Sequence, residues 1–216
     1  TPPRPALKRA AEAGRAPDDG PADMTAAQAL KSPQFLILMA TNFLCCATHS
    51  GPIFHTVSYA VTCGIPIMAA GSIYSLEGLA GMGGRIAFGV AGDRFGAKRM
   101  LVIGLLAQAF IALAYAGVRE LGQFYAVAAL FGFLYAGVMP LYAVIIRENF
   151  PLRLMGTIIG GTAMAGSLGM ALGPVAGGLI YDAFGTYRWL FFGSWAVGVG
   201  AVLIALTLRP FPRGAA

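Results

Sequence analysis

Six apolar runs of about 20 residues follow one another along this chain, at 35–57, 67–91, 101–118, 124–146, 155–180 and 189–208. A stretch of that length crosses the hydrocarbon core of a bilayer as a helix. In lipid each spanning segment must satisfy its own backbone polar groups, which only helices and closed barrels do. A barrel would need strands of about ten residues with alternating polarity, and the runs do not alternate. The first two carry polar interruptions, yet only 11% of the chain is charged, against about a quarter in a soluble domain. Thirty glycines lie largely inside the apolar runs, where close helix contacts use them. The expected fold is an all-α membrane protein with six transmembrane helices.

An even number of spans returns both termini to one side. All but Arg119 and Arg188 of the fifteen basic residues then fall on that side. Short basic loops stay cytoplasmic, so both termini are expected in the cytoplasm and the net charge of +6 is an orientation signal. Spread over separate loops, these charges form no nucleic-acid patch. Residues 1–32 read as a polar cytoplasmic linker, 33–209 as the transmembrane unit and 210–216 as a cytoplasmic tail. No signal peptide precedes the first run and the chain does not begin with Met. The expectation is a fragment, with Met24 able to start a shorter product.

The chain also repeats itself. Gly89-x-x-x-Asp93-x-Phe95-Gly96 returns as Gly178-x-x-x-Asp182-x-Phe184-Gly185, and Gly71 with Gly160 and Gly84 with Gly173 keep the same offset of 89. Eighty-nine residues is three spans, so the copies must be inverted across the membrane. Inverted three-helix repeats are a common construction of secondary transporters.

The loop GVAGDRFGAKR, starting at Gly89, resembles the signature loop of the major facilitator superfamily, G-x-x-x-D-R-x-G-x-K/R-R/K. Ala97 stands where the family usually has a basic residue. HSGPIFHTVSYAVTCGI (49–65) and GSLGMALGPVAGGLIYDAFGTY (166–187) resemble the seventh and eleventh helices of its oxalate/formate- and monocarboxylate-carrier-like bacterial members. The resemblance, over about 32–210, implies the C-terminal six-helix half of a twelve-helix carrier, with the N-terminal six-helix half as its partner. A Gly-x-x-x-Gly-Pro-x-x-Gly-Gly pattern at 169–178 also marks the fifth helix of some drug antiporters. The long polar entry and short ending favour the second half. The resemblance further implies a conformational latch at Gly89, Asp93, Arg94, Gly96, Lys98 and Arg99. Asp93 would anchor a neighbouring helix N-terminus, and the basic residues would engage acidic partners or lipid headgroups. Positive-inside anchoring alone is the plainer alternative.

Charged and polar groups inside a span are costly and call for a reason. Glu77 lies halfway along the second run and is a candidate for protons or a cationic group, or else a structural carboxylate. Arg85, eight residues on, is too far for pairing with Glu77. In monocarboxylate carriers the matching position is linked to the substrate carboxylate; bracing the signature loop is the alternative. No charge occurs from 155 to 180, so the second cation of oxalate-type carriers is missing. His49 is expected to meet Glu77 between the first two spans and suits proton coupling. Asn42, Tyr59, Tyr74, Tyr135 and Tyr142 are candidates for lining a cavity. Gly169, Gly173 and Gly177 form a small-residue packing face, with Pro174 as a bend and Pro140 beside Gly137 as another.

Cys45, Cys46 and Cys63 have no metal-type spacing. No catalytic, metal-binding or phosphate-cradling motif is present, so neither cofactor nor metal is expected and the chain reads as no enzyme. The expected function is alternating-access transport of a small organic solute, a monocarboxylate-type anion, across the inner membrane, driven by a proton or solute gradient. The alternatives are a membrane sensor or scaffold that kept the fold, an antiporter of drugs or other solutes, and an intramembrane enzyme built on Glu77 and His49.

Overall fold

The computed structural model describes residues 24–209. The linker assigned to 1–32 lies outside the described residues up to position 23, and so does the tail 210–216. Among the described residues there are no strands and seven α-helices: α1 (Ala26–Lys31), α2 (Pro33–Thr62), α3 (Ile67–Phe95), α4 (Ala97–Ala114), α5 (Leu121–Asn149), α6 (Met155–Phe184) and α7 (Arg188–Thr207). A 3-10 turn, Tyr115–Gly117, extends α4 and another, Leu152–Leu154, precedes α6.

Local chemistry sets the boundaries. Thr25 and Gln28 form a reciprocal capping box at the start of α1, which satisfies backbone N–H groups that have no helical acceptor. Ser32 then caps α2 by accepting from Phe35 N at 3.3 Å, with Pro33 at the first helical position. The two copies of the repeated loop end alike: Gly96 and Gly185 both take positive φ, 93° and 64°, a conformation that favours glycine.

The six long helices match the six apolar runs to within a few residues at each end. Five segments are long and apolar enough to cross a membrane: Pro33–Thr62, Ala97–Gly117, Leu121–Asn149, Leu152–Phe184 and Arg188–Thr207. Helix α3 has the length, 29 residues, but its glycines and Glu77 dilute its apolar character. Its place as the sixth span follows from its packing.

That packing is two-fold. The closest helix pairs are α3 with α5 and α2 with α6; next come α2 with α7, α4 with α7 and α4 with α5. Exchanging α2, α3, α4 for α5, α6, α7 turns each of these pairs into another on the same list or into itself. Helix α3 is thus the counterpart of α6, and the chain is two inverted three-helix repeats.

Two apolar clusters occupy opposite ends of the bundle. One joins Ala29, Phe35, Ala97, Leu101, Phe150, Leu154 and Leu208, hence the chain's entry, the α3–α4 and α5–α6 connections and the end of α7. The other joins Ile65, Tyr115, Val118, Phe124 and Tyr187, the three remaining connections. Successive helices therefore run up and down. Arg94, Lys98, Arg99, Arg147, Arg153 and Arg209 lie at the first end, and Arg119 and Arg188 at the second.

Glycines make the close pairs possible. A β-carbon on Gly84 would overlap the carbonyl oxygen of Phe133, one on Gly132 the carbonyl oxygen of Glu77, and one on Gly169 the carbonyl oxygen of Phe43. Gly173 meets the backbone of Ser50 and Gly51, and Gly177 the ring of His55. The expected face of Gly169, Gly173 and Gly177 is thus the seam against α2. Pro174, beside it, is exposed.

Candidate functional site

Between the two apolar ends lies a belt of polar side chains. On α2, Asn42, Thr48, His49, Ser50 and Thr56 are buried; Gln108 of α4, Glu77 of α3 and Thr162 of α6 join them. Several are structural. Asn42 Nδ2 donates to the Thr162 carbonyl at 2.8 Å, and Ser50 donates to the Gly169 carbonyl at 3.4 Å, so both stitch α2 to α6. Asn42 is accordingly a brace between the repeats in this conformation. Tyr59, another cavity candidate, is buried at the far end, where its hydroxyl donates to the Val118 carbonyl and accepts from Arg119.

His49 does not meet Glu77 directly. Its ring lies against Tyr135, with centroids 5.0 Å apart, and its Nδ1 is 3.3 Å from Gln108 Nε2. Glu77 instead turns toward α5, where the missing side chain of Gly132 makes room for it. Glu77 is 1% exposed, and neither carboxylate oxygen has a hydrogen-bond partner among the described residues. The hydroxyls of Tyr115 and Tyr135 lie within electrostatic reach of it.

Tyr135 is the hub of the site. Half-buried on α5, it touches His49 and lies within electrostatic reach of Glu77, Tyr74 and Arg85. Of the sequence candidates, His49 packs on this tyrosine, while Glu77 and Arg85 reach it only electrostatically. Tyr142 stands apart: it is buried beside Cys45 near the first apolar end.

Arg85 and Tyr74 are exposed on α3. Their face of the helix is open: Gly71, Gly78 and Gly89 have nothing within 4 Å of a built β-carbon, and neither have Gly156, Gly160 and Gly178 on α6. Glycines on α3 and α6 thus divide into a packed set, which seats the seams within the bundle, and an open set without a neighbour.

At the repeated loop, Asp93 is exposed in the last turn of α3 and makes no hydrogen bond or ion pair among the described residues. Helix α4 follows its N-cap Gly96 without a side-chain cap, so Asp93 makes no hydrogen bond to that N-terminus among the described residues. Lys98 also departs from expectation. It donates to the carbonyls of Leu206, at 3.3 Å, and Leu208, closing the C-terminal end of α7, where a cation is favoured. Arg94 and Arg99 are exposed. Gln108 and the acceptors of Lys98 were not among the sequence candidates. A single amide inside the apolar run of α4 was the available signal for the first.

An inverted-repeat helical bundle with a polar belt at mid-height and two open small-residue faces defines a class: multi-pass membrane proteins of the transporter type. The family profile described as the Major Facilitator Superfamily matches residues 1–160 and 35–216, and the chain belongs to that superfamily. It is 31% identical over 115 residues to the uncharacterized MFS-type transporter YuxJ of Bacillus subtilis, covering 53% of this chain and 29% of that protein. It is 34% identical over 119 residues to a quinolone resistance transporter of Acinetobacter baumannii, covering 53% and 27%. Multidrug resistance protein MdtG of Citrobacter koseri is 33% identical over 119 residues, covering 55% and 29%. Each matched stretch spans less than a third of the relative.

Proposed function

We propose that this chain is the C-terminal six-helix half of a twelve-helix secondary transporter that moves a small organic solute by alternating access. The observation that carries the reading is the open face of α3 and α6. Both helices present unfilled glycines, and α3 adds Tyr74 and Arg85, so the polar belt ends on a surface that lacks its other wall. An N-terminal six-helix half fits that face, with the solute held between the halves near mid-height and released as one rocks against the other. The basic end of the bundle faces the cytoplasm, by the bias of short basic loops, in a bacterial inner membrane.

Within this reading Arg85 recognises an anionic group, which favours a monocarboxylate-type solute. Glu77 carries the coupling proton. The exposed loop residues Gly89, Asp93, Arg94, Gly96 and Arg99 act as a latch against the other half, and Lys98 fixes the frame behind them by holding α7. A second reading, export of drug-like molecules, is favoured by the names of two relatives and by a lone buried carboxylate suited to cations.

Flux through the complete protein in proteoliposomes decides between them. Under an imposed proton gradient, monocarboxylate uptake is expected, and Arg85→Gln raises the KM about tenfold, the worth of one hydrogen bond to a charged group. Asp93→Asn lowers the flux while insertion stays normal. Movement of cationic or quinolone-type compounds with no effect of Arg85→Gln favours the second reading. No gradient-dependent flux for any solute overturns both in favour of a non-transporting module.

A further inference from the structure

Gln108 is fully buried in α4 and its amide reaches α2 at three points. Nε2 donates to the Cys45 carbonyl at 3.1 Å, Oε1 accepts from Cys45 Sγ at 3.8 Å, and Nε2 lies 3.3 Å from His49 Nδ1. A backbone carbonyl only accepts, so the Cys45 carbonyl contact sets which amide atom is nitrogen without reference to the histidine, and the thiol contact is consistent with it. One hydrogen of Nε2 serves Cys45. The other faces His49 Nδ1 and is accepted there when that nitrogen presents a lone pair; the Cys45 carbonyl also lies within reach of the His49 ring, but it already accepts from Gln108. The opposite tautomer would set an N–H of the imidazole against an N–H of the amide.

A neutral imidazole with a bare Nδ1 carries its proton on Nε2. We infer that Gln108 is a positioning residue that holds His49 as the Nε2–H tautomer. His49 is thereby a hydrogen-bond donor, not an acceptor, at its remaining nitrogen. That nitrogen has no hydrogen-bond partner among the described residues, yet it is not sealed; the Nε2 of His55 is both unpartnered and sealed. Among the described residues the polar and ring contacts of His49 are with Tyr135 on α5, Gln108 on α4 and Cys45 on its own helix. None is a carboxylate, so the Nε2–H is left for an oxygen acceptor of a solute: a carboxylate, carbonyl or ether. This last step rests on the proposed transport reading; the tautomer does not.

Nitrogen NMR of imidazole-labelled complete protein in lipid tests the assignment, with the His49 signals identified by their loss in His49→Asn. The parent is expected to show a bare Nδ1 and a protonated Nε2. Gln108→Glu, which places an acceptor opposite Nδ1, moves the proton to Nδ1, and Gln108→Leu gives a mixture. A parent with the proton on Nδ1 overturns the inference, as does retention of the parental pattern in both variants. In the flux assay Gln108→Glu raises the KM about tenfold with little change in kcat. If the tautomer is as stated but His49→Asn transports normally, the role of Gln108 stands and the place of His49 in the solute path falls.

Discussion

Gly84→Ala is expected to prevent the bundle from folding, while Gly160→Ala leaves it intact. Both glycines lie inside long helices, so propensity alone would make either substitution favourable by about 1 kcal/mol. Their surroundings differ. A β-carbon at position 84 falls on the carbonyl oxygen of Phe133, a backbone atom of α5 that moves only if the whole helix moves; at position 160 it meets nothing within 4 Å. Overpacking a core costs about 1–3 kcal/mol when side chains can shift. Displacing a helix backbone along the principal seam exceeds that. Gly173→Ala, the counterpart in α6, behaves like Gly84→Ala because it meets the backbone of Ser50 and Gly51. Thermal unfolding of the detergent-solubilised complete protein reads the difference. Equal midpoints for the two variants would show that the seam is not as close as described. Gly160→Ala should instead weaken flux, since its face is the one assigned to the other half.

Glu77→Met is expected to stabilise the protein and to abolish gradient-driven flux. Glu77 is buried, and both carboxylate oxygens lack partners among the described residues. Leaving a buried polar group unsatisfied costs about 1–3 kcal/mol. Methionine has similar volume and a flexible thioether that fills such a space without that cost, so the variant gains a comparable amount. A group retained at such expense has a use, and here it is proton coupling. The unfolding midpoint and the flux under a proton gradient are measured on the same preparation. A stabilised variant with undiminished coupled flux removes Glu77 from the mechanism; a destabilised one shows that the carboxylate is satisfied in the membrane.

The spans were legible because apolar length is a local property, and the repeat was legible because Asp-x-Phe-Gly is rare enough to recognise twice. Which helices touch was not. Gly84 and Gly173 share an offset of 89 in the sequence, but nothing there separates them from Gly71 and Gly160, which share it too and stand in the open. The distinction is a matter of which side of a helix faces a neighbour three spans away. His49 and Glu77 were matched as the polar residues of adjacent runs. In the fold α2 and α3 are poor neighbours compared with α2–α6 and α3–α5, so each group turned to another helix and Tyr135 came between them. Lys98 was read as a latch residue for acidic partners or lipid headgroups; its acceptors are backbone carbonyls at the far end of the chain, and carbonyls leave no mark in a sequence.

The account stands on the inversion of one three-helix repeat relative to the other, which sets Arg94 and Arg188 on opposite faces of the membrane. Single cysteines introduced by Arg94→Cys and by Arg188→Cys, after replacement of Cys45, Cys46 and Cys63, report this directly. A membrane-impermeant maleimide applied to intact cells should label position 188 and spare position 94, and the pattern should reverse in inside-out vesicles. Labelling of both positions from the same side would contradict the inverted repeat, and the proposed carrier would fall with it.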